Sequence, residues 1–393
     1  MTHHTVIVGA GVIGLTAAAL MVSPRCRVTL IDPADGPPAD DGDVGLRVSA
    51  IAAGSVDILN AADAWSRLQA ERCHPYAGMC VWDAADAPDS PRAVRFNADE
   101  FGASELGYIV ENAALQRALH SAVQASAVNL RYAARLDRVD IEARRVHLKS
   151  GEVIDYDLLV GADGLRSTIR ELASIETATT NYQQDAVVTH LRPERPHEDT
   201  AWQRFLPSGP VALLPLADGR VSTVWSTGSD EAKSALDADD KTLGRLLTDA
   251  TDAVLGQLVV EGPRGHVPLR AHHAKDYVRT GVVLVGDAAH GIHPMAGQGA
   301  NLGLRDVAAL AEVVSMALAE GEHPGSRRVL RRYERARRFD NASMLNGLSA
   351  LNRLFASETS LVGELRRNGM QLFNASGPIR AHAVKTAFGK SFS

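Results

Sequence analysis

The feature that most constrains the fold is a glycine pattern near the start of the chain, where Gly9, Gly11 and Gly14 follow the apolar run Val6–Val8. An alanine-rich segment comes next, and a second apolar run ends at Asp32, 18 residues after Gly14. Strand, glycine turn, helix and strand with a terminal acid form the βαβ unit that binds dinucleotides. Gly9 permits the tight turn, Gly11 lets backbone approach a pyrophosphate, and Gly14 lets helix pack on strand. The pattern predicts a Rossmann-type site.

The acid at the end of the second strand narrows the choice of nucleotide. Asp32 can accept hydrogen bonds from ribose hydroxyls, and it disfavours a 2′-phosphate because two like charges would meet there. These residues leave both NAD and FAD open. The sequence contains no second G-x-G-x-x-G pattern, which argues against separate Rossmann domains for two cofactors.

Length and composition describe a globular protein with two lobes. The chain has 393 residues, 45% of them hydrophobic, and a mean hydropathy of −0.09. No apolar run approaches the roughly 18–20 residues that cross a bilayer, and the first strand begins too early for a signal peptide. The 3 cysteines lack metal-ligand spacing, so reduced thiols in a cytoplasm are expected, with no metal site. The net charge of −6 disfavours nucleic acid as a partner.

Two later segments also place an acid directly after a short buried run. Leu158–Val160 leads into Asp163 and Gly164, and Val282–Val285 leads into Asp287. The second segment continues through a Pro/Gly-rich loop into an Ala/Leu-rich stretch with helical spacing. Because ligands bind at the carboxyl ends of strands in open α/β sheets, both acids are candidates for the nucleotide site. Taken alone, the segment at Asp163 is equally consistent with an ordinary loop.

The segment between these motifs has a different pattern. Short strand-like runs joined by Pro/Gly turns dominate residues 181–267, which predicts a mainly antiparallel second lobe. We therefore predict an α/β protein with a discontinuous Rossmann-type cofactor domain, an antiparallel-sheet substrate domain and C-terminal helices. The predicted boundaries are 1–72, 101–180 and 268–325 for the cofactor domain, 73–100 and 181–267 for the substrate domain, and 326–393 for the helical region.

An arginine cluster lies between residues 327 and 338 and contains seven arginines. The simpler interpretation is a solvated helix face, with Val329, Leu330, Tyr333 and Phe339 turned inward. The alternative is a surface for an acidic partner or an anionic membrane.

Together the three motifs resemble those of the flavin-dependent aromatic hydroxylases with one dinucleotide-binding domain, the group typified by para-hydroxybenzoate hydroxylase. Further strings resemble the ubiquinone-biosynthesis hydroxylases, and most closely the branch that hydroxylates C5 of a 2-polyprenylphenol. These strings are Leu46–Ile51, Gly78–Asp83, Tyr108–Asn112, Val224–Ser226, His293–Gly303 and Arg332–Arg335. The resemblance runs nearly from end to end. It implies a para-hydroxybenzoate-hydroxylase-like fold with FAD as the bound dinucleotide.

The resemblance also implies which residues contact the polar parts of FAD. The resemblance assigns the adenosine end of FAD to Gly11 and Asp32. At the position of Asp32, a glutamate is commoner in the family than an aspartate. It assigns contacts with the pyrophosphate or the ribityl chain to Arg47 and Asp287. Gln116 matches a polar position that contacts the ribityl chain in some relatives.

On the ring side of FAD, the resemblance points to the segment after the last strand motif. Pro294 and the turn from Gly297 to Asn301 would face the isoalloxazine ring. The backbone amides of Gly299, Ala300 and Asn301, at the start of a predicted helix, are expected to stabilise negative charge on reduced flavin.

The family reaction uses NAD(P)H as a transient co-substrate that reduces FAD. O2 then forms a flavin C4a-hydroperoxide, which hydroxylates an electron-rich ring. Asp163 and Arg170 belong to the segment implicated in binding both FAD and the nicotinamide cofactor. No residue stands out as a catalytic base, since His290 and His293 flank the loop but loop histidines are more often structural. The expected activity is ring hydroxylation of a polyprenylphenol in ubiquinone biosynthesis.

Several alternatives remain open at this stage. One is a monooxygenase of a soluble aromatic compound, and another is a prenyl-chain reductase or a halogenase. The four tryptophans are too scattered to form the Trp-x-Trp-x-Ile-Pro string of flavin halogenases. A third is a flavin-bound scaffold subunit with little turnover. The resemblance also leaves open a homodimer, and a cytoplasmic enzyme that associates peripherally with the inner membrane or with a biosynthetic complex.

Overall fold

The computed structural model describes residues 2–40, 42–291, 298–355, 360–377 and 380. Its central six-stranded sheet has the order β18 (Val278–Arg279), β19 (Val282–Leu284), β12 (Leu158–Gly161), β1 (His3–Val8), β2 (Cys26–Ile31) and β8 (Asn129–Arg131). All neighbours are parallel except β18 with β19. The β-branched runs at its centre are fully buried, as expected for a parallel sheet covered on both faces.

Helices and two small sheets surround this central sheet. The helices are α1 (Val12–Met21), α2 (Ala53–Ala61), α3 (Asn112–Gln124) and α4 (Thr168–Leu172). One small sheet contains β3 (Val48–Ala52), β7 (Gly107–Glu111) and β4 (Cys73–Tyr76), and the other contains β9 (Leu136–Asp140), β10 (Arg145–Leu148) and β11 (Val153–Asp155). The pairing of β4 with β7 joins a segment from each of the two predicted domains.

The second lobe is an eight-stranded sheet covered on one face by helices. Its order is β20 (His290–Gly291), β17 (Leu258–Ala274), β13 (Thr177–Pro193), β16 (Val221–Gly228), β15 (Gly209–Pro215), β14 (Thr200–Leu206), β5 (Gly78–Asp83) and β6 (Val94–Asn97). Every neighbouring pair is antiparallel except β14 with β5. The covering helices are α5 (Ser229–Asp237) and α6 (Asp240–Ala250). The predicted antiparallel lobe is confirmed.

Three long helices follow the last strand, namely α7 (Gln298–Ala319), α8 (Arg327–Phe355) and α9 (Ser360–Ala375). Helix α7 packs against α1, and α8 packs against α7. The C-terminal helices also reach the second lobe, where the Phe355 ring stacks on Phe205 at 3.8 Å. Within the described residues, no helix combines the length and apolar character needed to cross a membrane.

The inward face of α8 differs from the predicted one at a single residue. Val329, Leu330 and Tyr333 are fully buried, but Phe339 is 77% exposed. Six residues at about 100° per residue turn Phe339 roughly 120° away from Tyr333, whereas a position four residues on stays within about 40°. Arg337 occupies that position and is buried instead.

Candidate active site

The carboxyl ends of three parallel strands lie side by side at one edge of the six-stranded sheet. Val8 is paired with Gly161, and Gly161 with Leu284. The segments that follow these strands carry the glycine turn, Asp163 and Asp287. The sheet therefore brings the three predicted motifs to one place, as parallel pairing requires.

The first turn of α1 packs into the last of these motifs. A Cβ atom added to Gly286 would lie 3.2 Å from the Ile13 side chain, and one added to Gly303 would lie 2.7 Å from it. Glycine at both positions lets α1 approach α7 and the loop after β19 closely. The beginning and the end of the cofactor domain are joined through this contact.

The glycine turn is shaped by two close backbone approaches. Gly9 has φ +105°, and a Cβ there would lie 2.5 Å from the Ala162 carbonyl oxygen. A Cβ on Gly14 would lie 1.8 Å from the Gly9 carbonyl oxygen. A Cβ on Gly11 would instead meet nothing within 4 Å. Gly9 and Gly14 are thus required by the protein itself, whereas Gly11 borders open space.

Two residues predicted to contact the cofactor, Asp32 and Gln116, form hydrogen bonds with the backbone of Ala10 in this turn. The Ala10 amide donates to Oδ2 of Asp32 at 2.6 Å, and the Ala10 carbonyl accepts from Nε2 of Gln116 at 2.7 Å. The other oxygen of Asp32 accepts from the Ala34 amide at 2.8 Å. Each carboxylate oxygen keeps lone pairs for a further donor. Asp32 and Gln116 therefore position the turn and still have capacity for a ligand.

Asp163 and Arg170 link the second motif to the third. Asp163 accepts from the Ser167 hydroxyl at 2.5 Å and from the Ile169 amide at 3.1 Å, which caps α4. Burial raises the pKa of the Asp163 carboxyl despite these donors. Arg170 donates through Nη1 to the Ala288 carbonyl at 2.9 Å. Arg170 thus ties the segment that carries Asp287 to α4, while Asp163 holds the start of that helix.

The two charged groups predicted to contact the pyrophosphate or ribityl chain, Arg47 and Asp287, are both exposed. The Asp287 carbonyl accepts from Nε2 of His272 at 2.7 Å, which anchors its backbone. Neither side chain forms a hydrogen bond or ion pair with another residue that the structure describes. Both charges are available to a ligand.

The side chain of Asn301 anchors the start of α7 by hydrogen bonds. Asn301 is 1% exposed, its Oδ1 accepts from the Ala52 amide at 2.9 Å, and its Nδ2 donates to the Ala50 carbonyl at 2.8 Å. A Cβ added to Gly299 would meet nothing within 4 Å, and Ala300 beside it is half-buried. The first turn of α7 therefore borders open space, with its backbone amides free of intrahelical partners.

Two predicted ring-side contacts, Pro294 and Gly297, lie in residues 292–297, outside the described part of the chain. The candidate base His293 lies in the same segment. Their predicted roles stay predictions.

Comparison with known proteins agrees with this geometry. The FAD binding domain family matches residues 2–346. The 3-demethoxyubiquinol 3-hydroxylase of Escherichia coli (strain K12) is 36% identical over 388 residues, covering 98% of this chain and 97% of that protein. The ubiquinone hydroxylase UbiL of Rhodospirillum rubrum is 36% identical over 386 residues, covering 98% and 89%. The chain belongs to the FAD-dependent ubiquinone-biosynthesis hydroxylase family. It is an FAD-dependent aromatic-ring monooxygenase.

A solved structure supports the same fold at lower sequence identity. PqsL of P. aeruginosa, in complex with 2-aminobenzoylacetate, superposes with a TM-score of 0.76 at 20% identity, covering 94% of this chain and 99% of that one. The predicted para-hydroxybenzoate-hydroxylase-like architecture is thereby confirmed for this hydroxylase.

The residues of this hydroxylase fit FAD. The open spaces at Gly11 and Gly299 lie at the N-terminal ends of α1 and α7. Gly11 is the N-cap of α1 and offers no side-chain cap, so the first amides of that helix can bind a phosphate at the positive end of the helix dipole. FAD, when bound, supplies the electron transfer and oxygen chemistry that amino-acid side chains lack.

The sequence did not predict a buried polar network behind the segment from Gly286 to Gly291 of the hydroxylase. Asp306 is 0% exposed and accepts four hydrogen bonds. The donors are the Gly286 amide at 3.1 Å, His290 Nε2 at 2.5 Å, Arg337 Nε at 2.9 Å and Asn341 Nδ2 at 3.0 Å. Burial disfavours the carboxylate, but His290 and Arg337 outweigh burial and hold the pKa of Asp306 below its usual range.

This network also determines what His290 does. Its ring is 2% exposed and hydrogen-bonded to Asp306, which ties the segment from Gly286 to Gly291 to α7. The position supports a structural role over a catalytic one. The available signal was Asp306 itself, an acid that shares a helix face with Leu302 and Leu310, each four residues away.

Proposed function

We propose that this hydroxylase adds oxygen to the aromatic ring of a polyprenylated phenol in ubiquinone biosynthesis, with NAD(P)H and O2 as co-substrates. The observation that carries the proposal is the extent of the similarity to ubiquinone hydroxylases. It covers 98% of the chain, and so includes the second lobe as well as the cofactor domain.

For the cofactor, we propose that the adenosine end lies at Gly11 and Asp32, where the turn is open and the carboxylate retains acceptor capacity. The charges of Arg47 and Asp287, which pair with no described residue, then serve the pyrophosphate and ribityl chain. Gln116 and Asp163 act chiefly by holding the surrounding backbone in place.

For the ring side of the site, we propose that the amides of Gly299, Ala300 and Asn301 face the electron-rich edge of the isoalloxazine. The start of a helix of 22 residues places the positive end of its dipole there. Such preorganised donors stabilise developing negative charge without reorganisation. Pro294 and Gly297 complete this side of the proposed site.

The test is NAD(P)H oxidation by the FAD-loaded enzyme with and without a 2-polyprenylphenol. We expect oxidation to accelerate at least tenfold when the phenol is added, because an enzyme that hydroxylates the phenol consumes NAD(P)H faster when its substrate is present. Mass spectrometry should show a product with one added oxygen, and 4-hydroxybenzoate serves as the tail-free control.

Three other outcomes would each contradict the proposal in a different way. Acceleration by 4-hydroxybenzoate alone would indicate a soluble aromatic substrate. FAD binding without any phenol-dependent oxidation would indicate the scaffold alternative. Product with oxygen on the prenyl tail would exclude ring hydroxylation.

The product of this assay also shows which ring position receives the hydroxyl. The sequence resemblance favours C5 of a 2-polyprenylphenol, whereas the similar protein from Escherichia coli is named for hydroxylation at position 3 of 3-demethoxyubiquinol. We propose the C5 position for this chain. NMR of the isolated product distinguishes the two ring positions directly.

We also propose that α8 brings the enzyme to an anionic membrane surface, where its substrate is dissolved. Four exposed arginines, Arg327, Arg331, Arg335 and Arg338, recur every three or four residues and so share one face. None of them forms an ion pair with another residue that the structure describes, while Arg328 and Arg332 pair with Glu322. Such a basic stripe is attracted to anionic lipid by about 1 kcal/mol per residue.

Replacing Arg327, Arg331 and Arg335 with glutamine is expected to reduce cosedimentation with phosphatidylglycerol vesicles at least tenfold. A matched control replaces the exposed basic residues Arg135, Arg138 and Lys149 on the β9–β10 hairpin, which changes net charge equally. Equal loss in both triple variants would show a net-charge effect and refute a specific α8 surface.

A further inference from the structure

Two imidazoles and a carboxylate meet where the sheet of β3, β7 and β4 borders the second lobe. His74 lies on β4, and His197 and Asp199 lie in the connection between β13 and β14. Nε2 of His74 donates to Oδ1 of Asp199 at 2.8 Å, and Nδ1 of His197 lies 3.8 Å from the same oxygen. The two imidazole rings stand edge to face with centroids 5.1 Å apart. We name these three residues the His–Asp cluster.

The three side chains have the composition and the spacing of a metal site. One coordinating atom from each residue lies within 4.8 Å of the other two. A tetrahedral zinc ion, with bonds of about 2.0–2.1 Å to nitrogen and oxygen, holds its ligand atoms about 3.3 Å apart. The separations of 2.8 Å and 3.8 Å from Oδ1 of Asp199 lie on either side of that value. Shifts of about 0.5 Å therefore suffice for the cluster to coordinate an ion.

The ring of His197 is oriented for coordination. The residue is 8% exposed, and its Nε2 donates to the Leu216 carbonyl at 3.2 Å. A metal-bound histidine characteristically donates its other ring N–H to a carbonyl or a carboxylate in this way. The lone pair of Nδ1 therefore faces the cluster, where it accepts from the Asp199 amide at 3.1 Å. A metal ion replaces that single hydrogen bond with a coordinate bond.

The backbone directs the Asp199 carboxylate toward the two imidazoles. Glu198 and Asp199 both have φ +49°, in the left-handed region that residues with side chains rarely adopt. The Asp199 carbonyl accepts from the amides of Ala77 and Gly78 at 2.9 Å and 3.1 Å, which ties this turn to the segment directly after β4. The Asp199 side chain is 59% exposed, so water can reach a fourth position on the ion.

A second cluster of the same composition lacks this arrangement. His3, Asp157 and His323 also bring coordinating atoms within 4.8 Å of one another. Nη1 of Arg144, however, lies 2.9 Å from Nε2 of His323, so a cation already stands at that nitrogen. Nδ1 of His323 accepts from the Gly325 amide at 3.1 Å, which keeps the ring proton on Nε2. In the part of the chain that the structure describes, no arginine or lysine pairs with the His–Asp cluster.

We propose that the His–Asp cluster binds one divalent transition-metal ion through Nε2 of His74, Nδ1 of His197 and the carboxylate of Asp199. Zn²⁺ fits best, because it accepts nitrogen and oxygen ligands in a tetrahedron that water completes. The ion ties β4 to the connection between β13 and β14, and His74 carries its ring proton on Nδ1. The cysteine spacing predicts no metal site, but ligands from distant segments leave no such spacing. This site is separate from the residues proposed for FAD.

Calorimetric titration of the FAD-loaded, untagged enzyme with ZnCl2, after removal of metal by a chelator, tests the proposal. We expect one Zn²⁺ per chain, and binding at least tenfold weaker in Asp199→Asn. Asparagine tolerates the left-handed backbone and still accepts from His74, so this variant removes the charge and keeps the turn. Glu198→Gln is the matched control, because Glu198 is exposed, has the same φ and carries the same charge. It should bind Zn²⁺ as the wild type does.

A second variant and two further measurements separate binding from folding. His74→Gln changes a half-buried side chain of β4 and should also weaken Zn²⁺ binding at least tenfold, with an unchanged circular dichroism spectrum. An ion that binds only the folded protein stabilises it, so Zn²⁺ should raise the Tm of the wild type and of Glu198→Gln but not of Asp199→Asn. Anomalous diffraction at the zinc edge should place the ion between His74, His197 and Asp199.

Three results would each overturn the proposal. The first is a wild type that binds no Zn²⁺, or an Asp199→Asn variant of unchanged affinity. The second is an equal loss of affinity in Asp199→Asn and Glu198→Gln, which would be a general effect of charge. The third is an anomalous peak at His3 and His323 or elsewhere on the surface with none at the His–Asp cluster, which would be an adventitious ion only. The presence or absence of phenol hydroxylation bears on the proposed function alone.

Discussion

Replacing Asp306 with asparagine is expected to lower the free energy of unfolding by about 3–5 kcal/mol, since removing one partner of a buried ion pair leaves the other charge uncompensated. Asp306 is 0% exposed, and the side chain of its partner Arg337 is 9% exposed. The same carboxylate holds the Gly286 amide and His290. Urea unfolding followed by circular dichroism measures the change.

The control for this substitution lies on α8, the helix that carries the partner Arg337. Arg338 is exposed and forms no ion pair with a described residue, so Arg338→Gln should change the unfolding free energy by less than about 0.5 kcal/mol. An Asp306→Asn variant as stable as Arg338→Gln would show that the network contributes no net stability.

The pH dependence provides an independent check on Asp306. Its pKa is lower in the folded protein than the unfolded value of about 3.9. A depressed carboxyl pKa contributes stability that is present above the unfolded pKa and is lost as pH falls through the folded pKa. The wild type should therefore lose unfolding free energy below about pH 4 more steeply than Asp306→Asn. Equal slopes for the two proteins would rule out this contribution.

Substitutions in the glycine turn should separate folding from FAD binding. Gly14→Ala should disrupt the βαβ unit, because its Cβ would lie 1.8 Å from the Gly9 carbonyl oxygen. Gly11→Ala should fold, because its Cβ meets no protein atom within 4 Å. That methyl group would occupy space proposed for the pyrophosphate. We expect FAD affinity to fall on the order of 100-fold, equivalent to about 2.8 kcal/mol.

Fluorescence titration of the apoprotein with FAD, alongside circular dichroism, measures both effects. Gly347→Ala in α8 is the control, because its Cβ also meets nothing within 4 Å and the site is remote in sequence from the turn. It should bind FAD normally. A Gly11→Ala variant with unchanged FAD affinity would place the pyrophosphate elsewhere.

The local rules of chain geometry account for what could be predicted from the sequence. The glycine turn, the two later acids and the start of α7 each depend on neighbouring residues within one turn or strand. Period and turn residues also predicted the antiparallel lobe. The inward stripe of α8 was predicted correctly at Val329, Leu330 and Tyr333 but not at Phe339, because two aromatic residues six apart cannot share a helix face.

The sequence by itself determined the fold class, because steric requirements at Gly9 and Gly14 and the strand periodicity act over short distances. It indicated the family through the resemblance of its motifs. Only the tertiary structure decided the partners of Asp306. Arg337 lies 31 residues beyond Asp306 on another helix, and the Gly286 amide comes from the segment that follows β19. Such contacts depend on how packed elements align, which no local pattern of residues specifies.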